Sequence, residues 1–226
     1  MRPILKKSDE GLNAAIYAEL RRKLVMGKLA PGHVLSTRGL AQEMGVSQTP
    51  VRDALSRLAA EGAVDIRSKR RVLVPLMTAA RFDDLLHCRL QLEPDAAARA
   101  LPYIDAARLA RLRNADAALD KAIATGDPDA YMESNHAFHF TLYTAQPGRT
   151  QTQLIETLWL QFGPFMRFVF DRLFSTTLND SHQAAIAAIV ASDADGLRAA
   201  ISSDISDGMG LIVRAGLVNE QAGVAP

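Results

Sequence analysis

From about Thr78 to Gly216 the sequence consists almost entirely of helix-favouring segments, and this feature restricts the possible folds more than any other. The segments are rich in alanine, leucine and arginine, and no strand pattern occurs among them. We expect six helices, separated by proline, glycine and aspartate, at about 78–100, 105–124, 128–145, 150–174, 178–192 and 194–216. Kinks are expected at Pro94 and Pro164. This half of the chain is therefore predicted to be an all-α helical bundle.

Three shorter helices are predicted before residue 62. The first covers about 12–26, with Ile16, Leu20 and Leu24 on one face. The second runs from an expected N-cap at Thr37 to about Met44, and the third spans 48–60, with Thr49 as the expected N-cap and Pro50 at the first helical position.

A β-hairpin is predicted directly after these helices. Two apolar runs, 63–66 and 72–76, flank the basic segment Arg67-Ser-Lys-Arg-Arg71. Two short helices joined by a turn and followed by a hairpin form a winged helix-turn-helix. The predicted fold class is thus mainly α, with this module in residues 1–76 and the helical bundle in residues 77–226.

Charge is divided unevenly between the two parts. Residues 1–76 carry 14 Lys and Arg against 7 Asp and Glu, whereas residues 77–226 carry 12 against 18. A basic segment favours a polyanion, because neutralising phosphates releases condensed counterions. The first part is therefore expected to bind double-stranded DNA. A small module that makes protein contacts is the alternative, and the basic hairpin tip favours DNA.

The third helix presents a polar face at its start. Gln48, Arg52 and Ser56 lie four residues apart, away from the apolar stripe of Val51 and Leu55. Arg52 is expected to contact guanine and Gln48 to contact adenine in the major groove. The Ser47 hydroxyl and the backbone at Thr49 are expected to hold a phosphate.

The run from Leu35 to Gly62, LSTRGLAQEMGVSQTPVRDALSRLAAEG, resembles the DNA-binding domain of the GntR family of transcription regulators. The resemblance implies DNA contacts by Arg38, Gln48 and Arg52, with the wing tip residues Lys69 and Arg70 beside them. The family usually has arginine where Gln48 stands, and glycines at the wing tip.

Several polar residues interrupt the apolar faces of the second part. Arg89 shares a stripe with Leu85 and Leu86, and it is expected either to bind an anion or to pair with Glu93 four residues later. The others are an amide, two imidazoles and a carboxylate on three further helices, which could converge on a divalent metal or be ordinary core residues: Asn135, His139, His182 and Asp204.

The pattern of Arg89 to Glu93, Asn135 to His139, and His182 resembles the helical effector (FCD) domain of the FadR subfamily, and six helices indicate its VanR-like branch. The resemblance implies a metal of the Zn, Ni or Mn type on Asn135, His139, His182 and Asp204. Asn135 replaces the usual aspartate, and Asp204 replaces the usual last histidine. The resemblance also implies that Arg89 helps to bind a small carboxylate.

The expected function is therefore a homodimeric regulator whose operator binding changes when an organic acid binds. A lone cysteine, Cys88, and the lack of a membrane-spanning apolar run indicate a cytoplasmic protein. The first alternative is a regulator that senses the metal itself. The second is a metal-dependent hydrolase with a fused DNA-binding domain, which lacks a convincing second acid or base.

Overall fold

The computed structural model describes residues 9–68, 71–173 and 180–219. Contacts between Cα atoms divide the chain into two compact units. Of the described residues, the first unit comprises those up to Leu76 together with Trp159–Pro164, and the second comprises Met77–Leu158 and those from Phe165 onward. The wing residues Lys69 and Arg70 lie outside the described residues.

The first unit contains three helices and a small antiparallel sheet. Its elements are, in order, α1 (Asp9–Val25), β1 (Val34–Leu35), α2 (Thr37–Met44), α3 (Gln48–Ala60), β2 (Asp65–Ser68) and β3 (Arg71–Leu73). The strand order is β1-β3-β2, with Leu35 opposite Val72 and Ile66 opposite Val72 on the other side. This is a winged helix-turn-helix, as predicted. The strand β1 was not predicted.

Apolar stripes at helical spacing form the interior of the first unit. Ile16, Leu20 and Leu24 of α1 are at most 1% exposed, and Val51 and Leu55 of α3 are also buried. Each buried aliphatic side chain contributes roughly 1.5–3 kcal/mol through removal of apolar surface from water. The predicted stripes of both helices are therefore the core of this unit.

The predicted caps of α2 and α3 were wrong by one or two residues. Ser36, not Thr37, caps α2: its Oγ accepts a hydrogen bond from the Gly39 backbone N–H at 2.8 Å, while Thr37 is buried. Helix α3 begins at Gln48 with Ser47 at the N-cap, so Thr49 and Pro50 occupy the second and third helical positions. Proline is tolerated there because N–H groups in the first turn have no acceptor within the helix.

The second unit is an all-α bundle, as predicted. Its α-helices are α4 (Ala79–Ala100), α5 (Ala106–Thr125), α6 (Pro128–Tyr143), α7 (Thr150–Leu173), α8 (Ser181–Ala191) and α9 (Ala194–Arg214), with a short 3-10 helix at Leu101–Tyr103. Helix α4 packs against α6 and α9, α5 packs against α6 and α8, and α8 packs against α9. Pro94 and Pro164 lie inside continuous helices.

Two strands accompany this bundle, although none was predicted there. β4 (Met77–Thr78) and β5 (Val218–Asn219) pair in parallel, with Met77 opposite Val218. Two-residue strands are too short to display alternation in the sequence. In the described part of the chain, no helix combines the length and apolarity that crossing a membrane requires.

Candidate functional site

The start of α3 exposes the polar face that the sequence predicts. Ser47, Gln48, Thr49 and Arg52 are all exposed, and so is Arg38 on α2. The Ser47 side chain makes no capping hydrogen bond, although Ser47 occupies the N-cap. Its hydroxyl therefore lies on an exposed surface and is not used to cap the helix.

A cluster of two histidines and one aspartate lies inside the helical unit. His139 on α6, His182 on α8 and Asp204 on α9 each offer one ligand atom, and these atoms all lie within 4.8 Å of one another. The Nε2 atom of His139 is 3.2 Å from Asp204 Oδ2, and the Nε2 atom of His182 is 3.6 Å from Asp204 Oδ1. The two Nε2 atoms are 3.4 Å apart. We call these three residues the histidine cluster.

The spacing of the histidine cluster fits a bound divalent cation. With a metal–nitrogen distance of about 2.1 Å, two ligands at a tetrahedral angle lie about 3.4 Å apart. The two Nε2 atoms lie 3.4 Å apart, which matches that value, and each Nε2 atom lies 3.2 or 3.6 Å from one of the two carboxylate oxygens of Asp204. Two imidazole nitrogens and one carboxylate oxygen are also a donor set that first-row divalent metals accept. The residues present therefore fit a metal.

Each histidine has a partner at its Nδ1 atom: the partner of His182 lies on helix α5, and that of His139 lies on its own helix, α6. His182 Nδ1 lies 3.2 Å from Asp116 Oδ1 on α5, and its ring stacks on Phe138 with centroids 3.9 Å apart. His139 Nδ1 lies 3.0 Å from the hydroxyl of Tyr143, one turn later on α6. Because both Nδ1 atoms face partners, both Nε2 atoms are left for the cluster.

Behind His139 runs a buried chain of hydrogen bonds. The Tyr143 hydroxyl donates a hydrogen bond to Glu93 Oε2 at 3.0 Å. Arg89 donates two more to the same carboxylate, from Nε to Oε1 at 2.6 Å and from Nη2 to Oε2 at 3.2 Å. The Tyr143 proton is directed at Glu93, so its oxygen accepts from His139 Nδ1–H. Arg89 thus forms the ion pair with Glu93 that was predicted as the alternative to anion binding.

The charges of the cluster stabilise one another. Burial alone would raise the pKa of Asp204, but the charges of His139, His182 and Arg89 and the hydrogen bond with His139 lower it to about 2. Burial alone would lower the pKa of His182, but the hydrogen bond with Asp116 and the nearby carboxylates raise it. Asp204 is therefore a carboxylate at neutral pH.

The cluster opens into a pocket of about 270 Å³ that has an acidic lining. Asn135 lies in its wall, 8% exposed, beside Tyr131. Four carboxylates line it: Asp116, Asp120, Asp180 and Asp204. Burial, then the charges of Asp116 and Asp180, raise the pKa of Asp120. This crowding of like charges favours a cation in the pocket.

Sequence comparison identifies both units. The model for bacterial regulatory proteins of the gntR family matches residues 12–74, and the model for the FCD domain matches residues 84–207, more than half of the chain. The chain belongs to the GntR family. The FCD match covers most of its second unit.

Known regulators resemble this GntR-family chain along most of its length. The HTH-type transcriptional regulator McbR of Escherichia coli K12 is 28% identical over 196 residues, covering 85% of this chain and 89% of McbR. The solved structure of E. coli McbR/YncC superposes with a TM-score of 0.83 at 26% identity, covering 90% of this chain and 97% of that one. The gluconate operon transcriptional repressor of Bacillus subtilis 168 is 29% identical over 163 residues, covering 72% of this chain and 64% of the repressor. This GntR-family chain is a transcription regulator.

Two residues that contact the histidine cluster, Tyr143 and Asp116, were not predicted from the sequence. Tyr143 follows His139 by four residues, so it lies on the same helical face. Asp116 stands between Leu112 and Leu119, which are buried, so the sequence placed a carboxylate in an apolar stripe. Asn135, which the sequence also predicted as a ligand, lines the same pocket as His182 and Asp204.

Proposed function

We propose that this regulator binds a near-palindromic operator as a homodimer in the cytoplasm and that its FCD domain controls that binding. Arg52 and Gln48 would read bases in the major groove, while Arg38, Ser47 and Thr49 would contact the backbone. Exposure of all five side chains supports this role. The proposed division of labour places DNA binding in residues 1–76 and effector binding in residues 77–226.

The FCD domain would hold a divalent ion of the Zn, Ni or Mn type. His139, His182 and Asp204 would be its ligands, with the Asn135 side chain as a fourth donor. The observation that carries this proposal is the convergence of the three ligand atoms within 4.8 Å, beside a pocket that His182 and Asp204 line. Such an ion is a Lewis acid that can take oxygen ligands from a small molecule.

The effector would be a small carboxylate. A divalent ion balances the negative charge of Asp204 and of the carboxylates around it, and an acid can then complete the coordination sphere. Arg89 adds a positive charge close enough to lower the pKa of Asp204. Because Glu93 accepts hydrogen bonds from Nε and Nη2 of the Arg89 guanidinium, the contribution of Arg89 to acid binding would be electrostatic.

A regulator that senses the metal itself is the second candidate, and the pocket lining favours it. Four carboxylates attract a cation and repel an organic acid unless a cation is already bound. The two candidates differ in what changes DNA binding: the acid at constant metal, or the metal alone.

We further propose that the chain belongs to the VanR-like branch of the FadR subfamily. Six α-helices in the described part of the second unit, α4 to α9, support that placement.

Operator binding under controlled metal tests the proposal. The full chain would be stripped with a chelator and titrated onto operator DNA by fluorescence anisotropy, with Zn²⁺, Mn²⁺ or Ni²⁺ and then with a panel of small carboxylates. We expect an acid to shift the operator affinity only when metal is present, because the proposed binding site of the acid includes the ion. The acid changes DNA binding only if it binds the DNA-bound and free conformations of the regulator differently. A shift by metal alone supports the second candidate. Affinity that responds to neither would contradict both.

A further inference from the structure

Asp116 is a buried carboxylate whose partners are both on α8. Its residue exposure is 3%. Oδ1 faces His182 Nδ1 at 3.2 Å, and Oδ2 accepts a hydrogen bond from Gln183 Nε2. Among the described residues, no lysine or arginine forms an ion pair with it. Its charge is therefore balanced by the imidazole of His182 or by what that imidazole binds.

A carboxylate in this environment is costly unless it stabilises a positive charge. Asp120, one turn later on the same helix, is exposed to solvent. Asp116 instead occupies the apolar stripe of Leu112 and Leu119. This placement points to a role that depends on contact with the His182 ring.

We infer that Asp116 is a positioning residue for His182. By accepting a hydrogen bond from Nδ1–H, it fixes the tautomer and turns the Nε2 lone pair toward Asp204 and His139. A carboxylate behind an imidazole also makes that imidazole a stronger metal ligand. The inference rests on the proposed metal function. It adds a residue outside the ligand set that sets the metal affinity.

The competing explanation is that Asp116 acts only through its charge. Asp120 provides the matched control, because it lines the same pocket and lies one turn away on α5. It makes no hydrogen bond to His182 in the described structure. Asp116→Ala and Asp120→Ala remove equal charge, but only the first removes the hydrogen bond to the ring.

The first measurement is the Zn²⁺ affinity of the full chain, by competition with a chelator. We expect Asp116→Ala to weaken Zn²⁺ binding about ten- to a hundredfold. Asp120→Ala is expected to weaken it less than about fivefold, as for a solvated charge. Equal losses in the two variants would overturn the inference. In a His182→Ala background, Asp116→Ala should have no further effect.

The second measurement needs no metal. Long-range ¹H–¹⁵N NMR spectra of the metal-free chain, at a pH where His182 is neutral, report which ring nitrogen carries the proton. We expect the Nδ1–H tautomer in the wild type and its loss in Asp116→Ala; the His182→Ala variant identifies the resonance. An Nε2–H tautomer in the wild type would overturn the inference. If the wild type binds no Zn²⁺, the metal proposal fails, and this spectrum still decides the role of Asp116.

Discussion

The buried pair of Arg89 and Glu93 allows a quantitative test of how the helical unit tolerates charge. The side chains are 4% and 0% exposed, and the guanidinium donates to both carboxylate oxygens. Arg89→Met keeps a long apolar stem but leaves the Glu93 carboxylate buried with the Tyr143 hydroxyl as a remaining partner. Removing only the arginine of such a pair leaves an uncompensated buried charge, so we expect Arg89→Met to lower the free energy of unfolding by about 3–5 kcal/mol.

The double variant Arg89→Met/Glu93→Leu separates the charge from the packing. Replacing both members of a buried ion pair with apolar side chains is often close to neutral. Tyr143 then loses its acceptor, which costs about 1 kcal/mol. We therefore expect the double variant to regain more than half of the stability lost in Arg89→Met.

Urea unfolding at neutral pH, followed by circular dichroism, measures these differences. A loss of less than about 1 kcal/mol in Arg89→Met would refute the argument. So would a double variant whose loss equals the sum of the losses in Arg89→Met and Glu93→Leu, because residues in direct contact should couple. The double variant also tests Arg89 in effector binding, since it should fold without the guanidinium.

Three further predictions concern single residues. Arg52→Ala should weaken operator binding by about 1–3 kcal/mol in an anisotropy titration, whereas loss of the exposed arginine Arg111 on α5 should leave it unchanged; equal effects would remove the base-contact role of Arg52. Ser36→Ala should lower the free energy of urea unfolding by about 1 kcal/mol through loss of the α2 cap, and an unchanged value would contradict that cap. Phe138→Ala should cost about 3–5 kcal/mol, because this fully buried ring stacks on His182; a smaller loss by the same measurement would show that the cavity collapses.

Local patterns predicted the helices of this chain well. In α1, Ile16, Leu20 and Leu24 repeat every four residues, and all three are buried. Glycine and proline breaks also separated α4 to α9 at nearly the right places. These features depend on residues close in the sequence, so a single chain displays them.

The strands and caps depend on information that a local pattern lacks. β1 pairs with β3 across almost forty residues, and β4 with β5 across the whole helical bundle. At the start of α2, Ser36 and Thr37 are both good capping residues. Ser36 is the N-cap, whereas the Thr37 side chain is buried. Burial depends on tertiary packing, which a local sequence pattern does not display.

The ligand atoms of the histidine cluster were predictable, but their supports were not. His139, His182 and Asp204 each interrupt an apolar helical face. Asp116 reaches His182 only because α5 packs against α8, a contact between distant helices.

Metal content after equilibration is the most direct test of the central claim. The full chain would be dialysed against Zn²⁺, Mn²⁺ or Ni²⁺, freed of excess ion and analysed for bound metal, beside His182→Ala and the control His87→Ala, which removes an exposed histidine of α4. We predict one bound ion per chain in the wild type and in His87→Ala, and a clear loss in His182→Ala. A wild type that retains no metal, or equal metal in all three proteins, would contradict the account.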